Sequence, residues 1–113
     1  MNAATPTERQ IQRAIKALCD MRGIECWHIP NGGSRHPVEA RNLKLDGATA
    51  GAPDLIIWLP RGRVGCMEVK TRTGRQSGAQ IEVQQRLEAL GHRYEVVRSL
   101  TEAEGIINAW ERI

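Results

Sequence analysis

Gly51-Ala52-Pro53-Asp54-Leu55-Ile56-Ile57-Trp58-Leu59-Pro60-Arg61-Gly62-Arg63-Val64-Gly65-Cys66-Met67-Glu68-Val69-Lys70 is the stretch on which the reading of this chain turns. It predicts a strand, a tight turn and a returning strand. Asp54 opens an apolar run that stops at Pro60, and Pro60 to Arg63 supply turn chemistry, since proline presets one backbone angle and glycine permits a positive one. If Leu59 and Val64 flank the turn, antiparallel pairing carries Asp54 roughly opposite the Glu68–Lys70 end. Side chains alternate along a strand, so Glu68 and Lys70 share one face and Val69 takes the other. Two carboxylates and one ammonium thus meet at the edge of an apolar hairpin.

Such a cluster has to be explained. Neighbouring carboxylates repel, and partial burial disfavours both charges unless a cation lies between them. Lys70 is one candidate for that cation, and a divalent metal is another. Hard oxygen donors suit magnesium or manganese rather than zinc. A half-buried salt bridge at a strand end is the plain structural reading of the same residues.

The rest of the chain is placed around this hairpin. Thr5-Pro6-Thr7-Glu8 reads as a helix start, with Thr5 as cap, Pro6 in the first turn and Glu8 as the acid of a capping box. That helix runs to about Met21 on a stripe of Ile11, Ala14, Ile15 and Leu18, with Glu8 on the same stripe, and Gly23 ends it. Ile24 to Ile29 is a strand, in which His28 reads as a surface or hydrogen-bonded residue. After the Asn31-Gly32-Gly33 loop, a short helix begins near Pro37. Its segment carries Arg35, Arg41 and Lys44, either as a solvated face or as an arm toward phosphate. Beyond the hairpin a basic turn with Arg72 and Arg75 leads to Ser77, the cap of a helix reaching about Leu90. Ile81, Gln84, Leu87 and Leu90 are its expected inward positions, and Gln80 is either a surface glutamine or one that reaches back over the site. A strand over Tyr94 to Arg98 and a helix capped at Ser99 close the order α-β-α-β-β-α-β-α. One mixed sheet with helices on its faces buries these stripes.

Composition narrows the function classes. At 113 residues the chain is long enough for one core, so a single domain over 1–113 is expected. Neither a membrane-length apolar run nor a leader pattern is legible, which makes a cytoplasmic protein the default expectation. Cys19, Cys26 and Cys66 are odd in number and widely spaced, as reduced core thiols are. A formal charge of +3 permits a nucleic-acid partner. With three Trp, one Tyr and no Phe, contact with the phosphate backbone is expected rather than a base-stacking platform.

Pro53-Asp54 followed by Glu68-Val69-Lys70 resembles the PD-(D/E)XK nuclease superfamily, and more closely a stand-alone VRR-NUC domain of the small type carried by phages and bacteria. Glu8 with Ile11-Gln12-Arg13-Ala14-Ile15, Asn31-Gly32-Gly33, Gly51-Ala52-Pro53-Asp54, Ser77 with Gln80, and Val96-Val97-Arg98-Ser99 follow in the family's order. Gln76 and Gly78 depart from the residues the family often has around its serine. The resemblance implies a restriction-endonuclease-like α/β core and metal-dependent hydrolysis of DNA. It implies that Glu8, Asp54, Glu68 and the Val69 carbonyl bind magnesium or manganese, that Lys70 serves the attacking water, and that Gln80 assists. Arg35, Arg41, Lys44, Arg61, Arg63, Arg72 and Arg75 then meet the DNA backbone. A homodimer acting on branched or Holliday-junction-like DNA is also implied. The alternative is a non-catalytic DNA- or partner-binding domain that keeps the fold.

Overall fold

The computed structural model describes residues 5–30 and 36–112. Along them lie α1 (Glu8–Arg22), β1 (Cys26–His28), α2 (Pro37–Leu45), β2 (Leu55–Trp58), β3 (Val64–Val69), α3 (Gly78–Ala89), β4 (Arg93–Val97) and α4 (Leu100–Glu111), in the expected order. The Asn31-Gly32-Gly33 loop and Arg35 fall outside the described residues. No described helix is long and apolar enough to cross a membrane.

The four strands form one mixed sheet in the order β1-β2-β3-β4. β2 pairs antiparallel with both β1 and β3, while β3 and β4 run parallel. Leu55 lies opposite Met67 and Trp58 opposite Val64, so continuing this register by one residue sets Asp54 opposite Glu68. The hairpin therefore has the geometry expected of it, with a short 3-10 turn over Pro60–Gly62 in which Arg61 takes φ 62°. β1, β3 and β4 end at the same edge of the sheet where β2 begins.

Alternation divides the faces. Leu55, Ile57, Met67, Val69 and Val97 join Ile11, Ile15, Leu18, Ala103, Ile107 and Trp110 in the core, placing α1 and α4 on one face. Gly65 belongs to this layer because the Trp110 ring fills the space a side chain would need, with a Cβ there falling 2.4 Å from the indole. Gly65→Ala is expected to lower stability by about 2 kcal/mol through overpacking, read as a lower urea midpoint; an unchanged midpoint would show that Trp110 moves aside freely.

α3 covers β3 and β4 on the opposite face, where Tyr94 and Val83 are buried. Its inward stripe differs from the expected one. Val83 is buried, Gln80, Gln84 and Leu87 are partly buried, and Ile81 and Leu90 are exposed at 43% and 72%. The stripe is half polar because this helix lies over the charged hairpin rather than over the core, so hydrophobicity was a poor guide to its facing.

Two further boundaries shift. The cap of α1 is Thr7, whose Oγ1 accepts from the Gln10 N–H at 3.1 Å while Gln10 Oε1 accepts from the Thr7 N–H at 2.9 Å. The sequence holds two overlapping capping frames, and the Thr7–Gln10 frame forms in place of the Thr5–Glu8 one. Glu8 is consequently the first helical residue and is exposed, not part of the buried stripe. β1 is also shorter than expected, since the Ile24 N–H is taken by the Cys19 carbonyl in the C-terminal turn of α1. The three cysteines are free and buried, as expected. α2 buries none of its residues, leaving Val38, Leu43 and Leu45 exposed.

Candidate active site

The hairpin edge is assembled by backbone geometry first. β2 begins at Leu55, and Asp54 just before it extends the pairing with its side chain, Oδ2 accepting from the Val69 N–H at 2.7 Å. The Asp54 carbonyl in turn accepts from the Ile29 N–H at 2.9 Å and from His28 Nδ1, also at 2.9 Å. A carbonyl can only accept, so His28 carries its proton on Nδ1. Gly51, at φ 80°, lets the preceding loop press against α3, since a Cβ there would fall 2.5 Å from the Ala79 backbone. This close approach keeps the start of α3 over the hairpin.

Glu68 projects toward α3 and is 1% exposed. Gln80 Nε2 donates to its Oε1 at 3.0 Å, and the Tyr94 hydroxyl donates to its Oε2 at 3.3 Å. Gln80 does more than reach back, because its Oε1 also accepts from the Ser77 N–H in a complete capping box. Burial, followed by the bond to Asp54 and its charge, pushes the Glu68 carboxyl up to about 8, with Lys70 pulling weakly the other way. Tyr94 is raised as well, by burial and then by the Glu68 charge. The two carboxyl groups are in contact and neither is balanced by a hydrogen-bonded cation among the described residues.

Lys70 follows Glu68 on the same face and is 9% exposed. Its aliphatic stem lies close to Gly74 in the turn after β3. Arg98 fixes that turn, with Nη1 donating to the Thr71 carbonyl at 2.7 Å and the Gly74 carbonyl at 2.6 Å. The lysine is thereby positioned by a turn that the end of β4 holds shut.

Three helices, α1, α3 and α4, begin at this same edge, capped by Thr7, Ser77 and Ser99. Their N-terminal ends bring partial positive charge to the region, which favours an anion. Thr5 to Thr7 and Thr71 to Thr73 flank a cleft of about 350 Å³ that includes Arg72.

The structure thus brings Asp54, Glu68, Lys70 and Gln80 together. It leaves Glu8 exposed in the first turn of α1, with no bond to either carboxylate, and among the described residues no group of three or more His, Cys, Asp or Glu side chains forms a metal cluster. Of the basic residues, Arg72 borders the site and Arg75 is exposed in the turn before α3. Arg41 and Lys44 are exposed on α2. Arg61 and Arg63 lie at the far end of the hairpin, where Arg63 donates to the Pro60 carbonyl at 3.0 Å and the Trp110 carbonyl at 3.4 Å. His28 is exposed and hydrogen-bonded, as expected, whereas sequence reasoning missed two positioning residues, Tyr94 and Arg98, whose roles depend on contacts across the fold rather than on local spacing.

The VRR-NUC domain family model matches residues 6–100. A solved structure described as a VRR-NUC domain protein is 21% identical, covering 97% of this chain and 92% of its own, with a TM-score of 0.80. Another, described as a VRR-NUC domain, is 22% identical over 93% of this chain and 99% of its own, with a TM-score of 0.68. Comparison with curated protein sequences finds no match.

Proposed function

We propose, from the premise that the chain belongs to the VRR-NUC family, that it is a magnesium- or manganese-dependent DNA endonuclease selective for branched DNA. One observation carries this reading. Glu68 is buried against Asp54 at a cost to its ionised form, and a divalent cation removes that cost. Magnesium is ordinarily held by one or two carboxylates together with substrate phosphates, so this pair of hard oxygen donors fits it. Asp54 and Glu68 would hold the ion, joined by the Val69 carbonyl, and Glu8 would enter only if the start of α1 closed on the site. The ion's contribution is Lewis acidity, which makes a water nucleophilic at neutral pH and offsets charge on phosphate.

The chain's own residues do the remaining work. Gln80 and Tyr94 fix the Glu68 carboxylate, and His28 and the Val69 N–H fix Asp54. Lys70 orients the attacking water and neutralises the charge that grows on the phosphate oxygens. An amine also suits this place because, unlike a guanidinium, it can give up a proton when its surroundings favour that. Arg72 and the three helix N-termini hold the backbone on either side, and Arg41 and Lys44 extend the contact along α2. Such binding weakens steeply with salt. A homodimer presents two such sites to two strands of a junction.

The test is cleavage of supercoiled, linear and four-way-junction DNA with magnesium, with manganese and with EDTA. Cutting is expected with either metal, fastest on the junction, and absent in EDTA. Cutting in EDTA would refute the mechanism. Binding without cutting would select the alternative, a non-catalytic DNA-binding domain, which the exposed position of Glu8 favours.

A further inference from the structure

Folding gathers two of the three tryptophans at one place. Trp27 of β1 and Trp58 of β2 meet edge to face, with ring centroids 5.0 Å apart and planes at 65°. They are 53% and 40% exposed, whereas Trp110 is buried. Among the described residues α3 covers the β3–β4 half of its face, and these rings stand exposed on the β1–β2 half. Each ring has a partner. Trp27 Nε1–H donates to Glu25 Oε2 at 2.6 Å, and Trp58 packs on Trp27. A solvent-exposed aromatic pair held in a fixed attitude has no role in the core.

Its occupant follows from position and charge. Asp54, Ile56 and Trp58 alternate onto one face of one strand, and Trp27 pairs with Ile56, so the rings continue the surface on which Asp54 and Glu68 lie. Asp54 and Trp58 are four residues apart, roughly 13 Å along the strand. That distance is within reach of a few nucleotides, so a DNA strand with a phosphate at the carboxylate pair can extend over the rings. Glu25 beside Trp27 repels phosphate, which leaves a base as the part of the strand that can settle there. In a duplex the bases are stacked on each other and turned inward, so only an unpaired strand can offer one.

We propose that Trp27 and Trp58 form a stacking platform for an unpaired nucleobase of the DNA strand whose phosphate lies at Asp54 and Glu68. This rests on the DNA-cleaving reading above, and it adds a base contact to the phosphate contacts expected from composition. It assigns the preference for branched DNA to nucleotides whose stacking is interrupted at the branch and which open there more readily than in a continuous duplex, read by two indoles.

The test separates platform from chemistry by measuring binding in EDTA. Tryptophan emission is followed while a single-stranded oligonucleotide, or a blunt duplex of the same length, is added. The single strand is expected to quench emission, and Trp27→Ala and Trp58→Ala are each expected to weaken its binding about tenfold. Duplex affinity should stay nearly constant, and Trp58→Phe should recover most of the loss. Both rings are exposed, so thermal melting should be little changed. Absence of quenching, or equal losses for both DNAs, would overturn the platform. So would a double variant that turns a wild-type dimer into a monomer and binds single strands normally, since the face would then be a contact between copies. Cleavage of a junction by both alanine variants at the wild-type rate would reject the platform and keep the nuclease. The expected binding losses without cleavage by any form would do the reverse.

Discussion

Asp54→Asn is expected to lower metal-dependent cleavage roughly a thousandfold while leaving the fold intact. An asparagine is nearly isosteric, and its side-chain oxygen can still accept from the Val69 N–H that Asp54 binds at 2.7 Å. What it removes is one of two charges facing the ion, so the loss is electrostatic and not structural. Lys70→Ala should cost a similar factor, for it strips a buried ammonium from the face that carries Glu68. The measurement is single-turnover cleavage at saturating enzyme, with EDTA-state binding as a control. A variant that binds DNA normally and still cuts within about threefold of wild type, far less than such a group contributes, would remove that residue from the chemistry.

The second expected effect concerns stability. In EDTA the protein should lose stability as pH rises from about 5 to about 8. The Glu68 carboxyl ordinarily ionises near 4.5 but is pushed up to about 8 in the folded state, chiefly by burial and then by Asp54. Between those values the unfolded chain has released a proton that the folded chain retains, so raising the pH favours unfolding. The whole effect is on the order of 5 kcal/mol, at about 1.4 kcal/mol for each unit of displacement. It is complete below the unfolded value and gone above the folded one. Glu68→Gln should flatten the profile, raise stability at pH 8 and abolish cleavage, the exchange expected where a site is built at the expense of the fold. Magnesium at pH 8 should restore much of the loss in the wild type and none in the variant. Urea midpoints across the range check this, and a wild-type profile that matches Glu68→Gln would contradict it.

Much of this arrangement was legible in the sequence. The hairpin announced itself through an apolar run that stops at Pro60-Arg61-Gly62, and its register followed, so Asp54 and Glu68 could be set together from the sequence. Element order followed from caps and stripes in the same way. What could not be read depended on competition or on distance. Thr5 and Thr7 each begin a plausible capping frame, and only the folded chain shows that Thr7 prevails and turns Glu8 outward. The facing of α3 was misread because its stripe is polar where it covers the site. Tyr94 and Arg98 lie 26 and 27 residues from the groups they bond, and no local pattern connects them. The tryptophan pair was invisible for the same reason, since a count of aromatics carries no information about where they meet.

α2 carries a consequence of another kind. Nine residues long and with nothing buried, it is shorter than a helix that holds its shape unaided in water. Its hydrogen bonds open without disturbing the sheet, so its local unfolding is separate from that of the core. α2 therefore acts as a compliant flank: it can follow the contour of whatever lies against the carboxylate edge, and the sheet contributes no strain when it does.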